Sequence, residues 1–152
     1  STYDGFGELT QRVSPDTGTS SSTYDSGGNV ATSTDARGAL TVYAYDALNR
    51  VVSRSYSIGG VTDQTVTLLY DSGSNGKGRL TSASDANQSL AWTYDSLGRV
   101  ASRTQTVGNR SLTTGFTYTN GNLTTVSTPA GRSINYTYNS NHQIASVAVN
   151  GI

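Results

Sequence analysis

At 152 residues the chain has room for one ordinary domain, but it lacks Cys and Met, holds only 13% charged residues and carries 17 glycines, a balance that favours strands and tight turns over helices. A formal net charge of zero and a pI near 6.5 supply no positive field for nucleic acid or an anionic membrane surface. The absence of Cys excludes a disulfide framework and a thiolate metal site, no apolar run reaches the length of a membrane span, and the N-terminus lacks the charged and apolar regions of a signal peptide.

A Tyr-Asp pattern recurs along the chain from its N-terminus. Ser1-Thr2 reads as the stub of a strand, followed by Tyr3-Asp4, Gly7 and Leu9 and by a second turn at Asp16-Thr17-Gly18. Tyr24-Asp25, Gly28 and Val30 come next, with a second turn from Asp35 to Gly38. The third unit alternates as Thr41/Tyr43/Tyr45, continues through Asp46, Asn49, Arg50 and Val51, and turns at Gly59-Gly60. In the fourth, Val66/Leu68/Tyr70 and Asp71 precede a four-residue insertion before Gly78, Arg79 and Leu80, and the turn is Asp85-Ala86-Asn87. The fifth is the most regular: Leu90/Trp92/Tyr94, Asp95, Gly98, Arg99 and Val100, with a turn at Gly108-Asn109. Thr114/Phe116/Tyr118 leads to Thr119, to Gly121 after a one-residue deletion, to Leu123 and to the turn Pro129-Ala130-Gly131. Last come Ile134/Tyr136/Tyr138, Asn139, His142, Ile144 and the turn Asn150-Gly151.

The tyrosines recur at intervals of 21, 21, 25, 24, 24 and 20 residues. Period-two alternation before each one predicts a strand with a single apolar face. The slot after the Asp turn takes Gly, Asn or His, the residue types that enter positive φ most cheaply. The aliphatic residue two positions later is expected to be buried, and the Asp side chain to accept a hydrogen bond from the backbone N–H two residues on, with Asn139 imitating it and Thr119 doing so more weakly. The expected fold is all-β: an antiparallel meander of tandem two-stranded units forming a curved, coiling strip, one array of about seven units over 1–152 with both ends cut within a unit. Strands about 4.8 Å apart place consecutive tyrosines roughly 9.6 Å apart, beyond stacking distance. Tyr45 with Val51 and Tyr94 with Val100 are therefore the expected cross-strand pairs.

The run Tyr94-Asp95-Ser96-Leu97-Gly98-Arg99-Val100 resembles the YD or rearrangement-hot-spot (RHS) repeat. Tyr45 to Val51 matches with Asn49 for Gly, and Gly78-Arg79-Leu80 matches after its insertion, whereas Glu8, Asn29, Asn122 and Gln143 replace the Arg elsewhere. The resemblance covers nearly the whole chain. It implies a β-strip that in longer relatives spirals into a hollow shell, enclosing a C-terminal toxin in polymorphic toxins and insecticidal toxin complexes or forming an extracellular barrel in teneurin-like adhesion proteins. Some such relatives cleave themselves at a motif beginning Asp-Pro; here Pro15 follows Ser14 and Pro129 follows Thr128.

Candidate chemistry is sparse. His142, the single histidine, could serve as a base or ligand, but it occupies the turn slot and has no partner group in the pattern. The recurring Asp residues could bind calcium, yet each turn offers about one carboxylate where such sites need several. Arg50, Arg79, Arg99, Arg54 and Arg103 could form a stripe for an anionic partner; the balance of charges instead predicts pairing with Asp of the same or an adjacent turn. Tyr43, Trp92, Phe116 and Tyr136 would suit sugars if solvent-facing, but their phase puts them with the aliphatic positions. Asn87, Asn109, Asn122 and Asn135 lie in Asn-x-Ser/Thr sequons, which carry glycans only in a eukaryotic secretory host. The expectation is a non-catalytic wall segment without cofactor or metal, secreted or cell-surface as part of a larger protein. Its partners would be the rest of the shell, an enclosed toxin and, through an exposed apolar face or sheet edge, other copies. The alternative is an adhesion or carbohydrate-binding array.

Overall fold

A computed structural model describes residues 1–151. Every regular element among them is a strand: β1 (Thr2–Tyr3), β2 (Leu9–Ser14), β3 (Gly18–Tyr24), β4 (Val30–Thr34), β5 (Leu40–Tyr45), β6 (Val51–Ile58), β7 (Val61–Tyr70), β8 (Leu80–Ser84), β9 (Gln88–Tyr94), β10 (Val100–Val107), β11 (Arg110–Thr119), β12 (Asn122–Ser127), β13 (Ser133–Tyr138) and β14 (Ile144–Asn150). They follow chain order in a 14-stranded antiparallel meander. Alternating apolar residues supply one face per strand, and tight turns at short spacing leave each strand no neighbour but the next in sequence. The chain divides into two compact units, Ser1–Leu68 and Leu69–Ile152.

In unit 1 the tyrosines face the aliphatic residues across their turns, as Tyr3↔Leu9, Tyr24↔Val30 and Tyr45↔Val51. The register then slips by one, because Thr2, Thr23 and Ala44 oppose Gln11, Thr32 and Ser53, leaving Thr10, Ala31 and Val52 as bulge residues. Unit 2 repeats this with Tyr94↔Val100, Tyr118↔Leu123 and Tyr138↔Ile144, and with bulges at Ala101, Thr124 and Ala145. Such bulges increase local right-handed twist and re-aim the side chains beyond them. Where the bulge residue is Thr its hydroxyl bonds back across the hairpin, from Thr10 to the Thr2 carbonyl at 3.2 Å and from Thr124 to the Thr117 carbonyl at 3.2 Å.

The two faces differ in chemistry. One carries Tyr, Trp, Phe and most of the aliphatic residues, although Val42, opposite Thr32 and Ser55, lies on the other. The other carries hydroxyls paired across strands, as in Thr23–Thr32 and Thr93–Ser102 at 2.7 Å and Thr104–Thr113 at 2.9 Å, each pair contributing a few tenths of a kcal/mol, up to about 1. Within each unit neither face is covered by a second layer. Among the described residues only Leu68, Gly76 and Thr81 are buried. The expectation of burial at the aliphatic positions is therefore corrected: Leu9, Val30, Val51, Leu80, Val100 and Leu123 are half-buried, and Ile144 is 58% exposed. Lateral neighbours within a single sheet shield only a side chain's flanks. The chain exposes 9970 Å², where a compact monomer of the same mass exposes about 7,400 Å².

Two-residue turns close several hairpins. Gly59 and Gly60, at φ 59° and 80°, join Ile58↔Val61 in a type I′ geometry. Gly108 alone has positive φ, 54°, between the paired Val107 and Arg110, as type II′ requires. Asn120 and Gly121, at 52° and 84°, close Thr119↔Asn122. This last turn corrects the reading of Thr119 as a weak Asp substitute. With two residues in the loop Thr119 ends a paired strand, and its hydroxyl lies 3.4 Å from Thr124 Oγ1.

Candidate functional site

The recurring site is the turn between Tyr and the aliphatic residue. In Asp46–Arg50 the Asp46 N–H donates to the Arg50 carbonyl and the Asn49 N–H to the Asp46 carbonyl, both at 3.0 Å. The side-chain Oδ1 accepts from Leu48 N at 2.9 Å and Arg50 N at 3.0 Å. Asp4 accepts in the same way from Phe6 and Glu8, Asp25 from Gly27 and Asn29, Asp95 from Leu97 and Arg99, and Asn139 from Asn141 and Gln143. Only the first of each pair of donors was legible in the sequence; the second exists because positive φ at the fourth residue folds the following N–H back onto the same oxygen. That slot holds Gly7 (84°), Gly28 (79°), Asn49 (58°), Gly98 (77°) and His142 (59°), with Gly78 (77°) and Gly121 (84°) after the insertion and the deletion. In the insertion Asp71 itself takes φ 65° and accepts from Gly78 N at 2.5 Å. Turns without a preceding Tyr adopt the same form at Asp35–Ala39 and Thr128–Arg132, on the opposite row of loops.

The tyrosine ties one hairpin to its predecessor. Its hydroxyl donates to the carbonyl of the previous aliphatic residue: Tyr24 to Leu9 (3.0 Å), Tyr45 to Val30 (2.9 Å), Tyr94 to Leu80 (2.5 Å), Tyr118 to Val100 (3.1 Å) and Tyr138 to Leu123 (2.7 Å). The Arg before that aliphatic residue covers the same ring, with the Arg99 guanidinium carbon 4.3 Å from the Tyr118 centroid and that of Arg79 5.5 Å from Tyr94. The Gly-Arg-Leu/Val spacing thus presents a cation to the next Tyr ring and a carbonyl to its hydroxyl. The residue in the Arg slot also touches the next turn: Asn29 Nδ2 donates to Asn49 Oδ1 at 3.0 Å, Arg79 Nε donates to the Gly98 carbonyl at 3.1 Å, and Asn122 Nδ2 lies 2.9 Å from His142 Nδ1. The intervals of the tyrosines carry no trace of these hydroxyl and Arg-slot bonds. Tyr43 and Tyr45 additionally stack within one strand, centroids 6.5 Å apart.

The arginines divide into two groups. Arg50 and Arg99 pair with Asp46 and Asp95 at 2.7 Å, and Arg37 with Asp35 at 2.9 Å. The expected pairing fails for three others. Arg79 is spent on the carbonyls of Gly98, Asn75 and Lys77. Arg54 and Arg103 stand in strand bodies opposite Tyr43 and Trp92, one strand length away from the turns that hold the carboxylates; the Arg54 Nε is buried without a partner.

Accepting N–H groups lowers the pKa of these carboxylates. The Arg50 N–H does so for Asp46 and the Asn29 N–H for Asp25, while for Asp95 partial desolvation is outweighed by bonds from Arg99 and Leu97. Asp4 is held low by the Glu8 N–H and Asp35 by the Arg37 side chain. Glu8 moves the other way, raised by desolvation and by Asp4 and Asp25 beside it. Tyr45 is raised by desolvation and by Tyr43 and Asp25.

No group of three or more His, Cys, Asp or Glu that could hold a metal occurs among the described residues. A hollow of about 430 Å³ in unit 1, with Tyr56, Gln64 and Val66 in its wall, has Arg37 and Asp63 as its charged groups. Tyr43, Trp92, Phe116 and Tyr136 are half-buried, shielded on their flanks by lateral neighbours on the Tyr-bearing face. No helix of the described residues is long and apolar enough to cross a membrane.

Among solved structures, the chain is similar to crystal structures of TcdB2-TccC3 (TM-score 0.85), of TcdB2-TccC3 without its hypervariable C-terminal region (0.84) and of TcdB2-TccC3-Cdc42 (0.82). Each is 15% identical over 95% of this chain. The chain spans only 8 to 9% of the length of those chains. A comparison with curated proteins found no match. The RHS Repeat family matches residues 24–62, 75–110 and 118–151, the stretches in which tyrosine, Asp turn and aliphatic carbonyl recur in register, and the chain accordingly belongs to the RHS repeat family.

Proposed function

We propose that the chain is a tandem array of about seven Tyr-Asp units and forms a non-catalytic wall segment of a secreted shell that isolates a C-terminal toxin or other cargo. The observation that carries this reading is the Tyr hydroxyl bond from each hairpin to the aliphatic carbonyl of the one before, present at Tyr24, Tyr45, Tyr94, Tyr118 and Tyr138. It consumes the polar atoms of the repeated residues in joining repeat to repeat, so that the array propagates a sheet instead of building a cleft. Similarity in fold, over 95% of this chain, to the TcdB2-TccC3 structures supports the same reading. The repeated tyrosines, turn residues and aliphatic residues then act as structure alone, and no side chain performs chemistry.

The alternative is a carbohydrate-binding array. Sedimentation across a concentration series, combined with oligosaccharide titration of Trp92 fluorescence, separates the two, since Trp92 is the single Trp. A β-rich chain that associates and ignores oligosaccharides is expected. A compact monomer whose Trp92 emission saturates with an oligosaccharide would overturn the wall reading.

A further inference from the structure

The net charge of zero conceals a separation of charge within unit 2. Its acids, Asp71, Asp85 and Asp95, all stand in turns, and strands β8 to β14 contain no Asp or Glu. Their two charged residues are Arg103 and Arg110. By the pairing Trp92↔Arg103 and Val107↔Arg110, both lie on the Tyr-bearing face. Both are exposed, and neither has an ion-pair or hydrogen-bond partner among the described residues. Beside them on the same face, Val107 is 51% and Leu112 45% exposed. Over β8 to β14 the opposite face carries Ser and Thr hydroxyls paired across strands, as in Thr93–Ser102, Thr104–Thr113 and Thr137–Ser146. The Tyr-bearing face is therefore the one that needs a covering partner, and its uncompensated cations fix the sign of that partner's charge.

We propose that the Tyr-bearing face of unit 2 docks an extended polypeptide segment carrying both apolar and carboxylate side chains, which deepens and rests on the wall reading by naming the chemistry of what the wall holds. Aliphatic side chains cover Leu112 and Val107, while carboxylates take the fork of Arg103 and Arg110 in bidentate geometry. A nucleic acid would satisfy the cations but leave the exposed aliphatic residues wet.

The test is titration of Trp92 fluorescence in the 152-residue chain with a Trp-free, unstructured peptide of roughly 20 residues containing Leu and Glu, and with its Lys-for-Glu counterpart and a dT oligonucleotide of similar charge. Saturable binding of the Glu peptide is expected, weakened about tenfold or more by Arg103→Glu/Arg110→Glu and by raising NaCl from about 50 to about 500 mM. Arg103→Gln/Arg110→Gln should give a smaller loss, and both variants should keep the parent's far-UV circular dichroism. Equal binding of the Lys peptide, tighter binding of the oligonucleotide, indifference to both double substitutions, or no binding at all would overturn the proposal. If the chain still associates into β-rich assemblies in the last case, the wall reading stands and only its occupant has been misidentified.

Discussion

Gly98 and Gly38 share positive φ, 77° and 80°, yet they differ in what surrounds them. A Cβ on Gly98 would run into the Arg79 guanidinium, whereas one on Gly38 meets nothing. Gly38→Ala should therefore cost only the left-handed backbone penalty, about 1 kcal/mol, and Gly98→Ala about 2 kcal/mol or more, because Arg79 must also leave the Gly98 carbonyl; urea unfolding of the two variants measures the difference. At Asp46 the accepting oxygen matters more than its charge. Asp46→Asn keeps an acceptor for Leu48 and Arg50 N–H and should unfold at a temperature close to the parent's, while Asp46→Ala should unfold distinctly lower. The carboxylates of Asp25, Asp46 and Asp95 have folded pKa values below the ordinary 3.8. Their stabilisation is thus present above pH 3.8 and lost as pH falls from there through the folded values. Glu8, raised above 4.5, works in the opposite sense, since folding becomes easier as it protonates. Thermal melts from pH 5 to pH 2 should accordingly show a falling midpoint below about pH 4, and the slope should flatten in Asp46→Ala.

Each hairpin is closed by its turn but held to its neighbour by the Tyr-Arg pair. Tyr118→Phe removes the bond to the Val100 carbonyl and should lower stability by about 1 kcal/mol. Arg99→Ala removes both the ring contact and the Asp95 pair. A double-mutant cycle between Arg99 and Tyr118 should return a coupling of about 0.5 to 1 kcal/mol, and a value of zero would mean that the guanidinium merely rests on the ring. The one-residue bulge after each aliphatic residue gives this contact its direction: with a regular ladder in place of the slip at Ala101, the residues beyond Val100 would change faces.

Across the whole molecule a single sheet buries less than a globular protein does. From the exposed 9970 Å², the surface freed on unfolding is about five sixths of that expected for a compact chain of this mass, and the urea m-value should fall in the same proportion. An m-value equal to that of a compact protein would mean that another copy covers one of the faces in solution.

The all-β meander was legible because period two and turn residues are local properties: Thr41/Tyr43/Tyr45 and Gly59-Gly60 need no distant partner to declare a strand and a hairpin. Positive φ at Asn49 and His142 was legible for the same reason, since few residue types tolerate it. Other features depend on what lies one strand or one hairpin away. The Tyr118 hydroxyl finds Val100, the bulge displaces Ala101, and Arg103 lands opposite Trp92 instead of beside an Asp. Burial was misjudged for a related reason, as periodicity assigns a residue to a face while only the presence or absence of a second layer decides whether that face is dry. The sequence by itself determined the strands, the turns and the family, all written in spacing along the chain; the tertiary structure alone decided which polar groups are consumed between hairpins and which cations remain free, because those outcomes depend on register across strands.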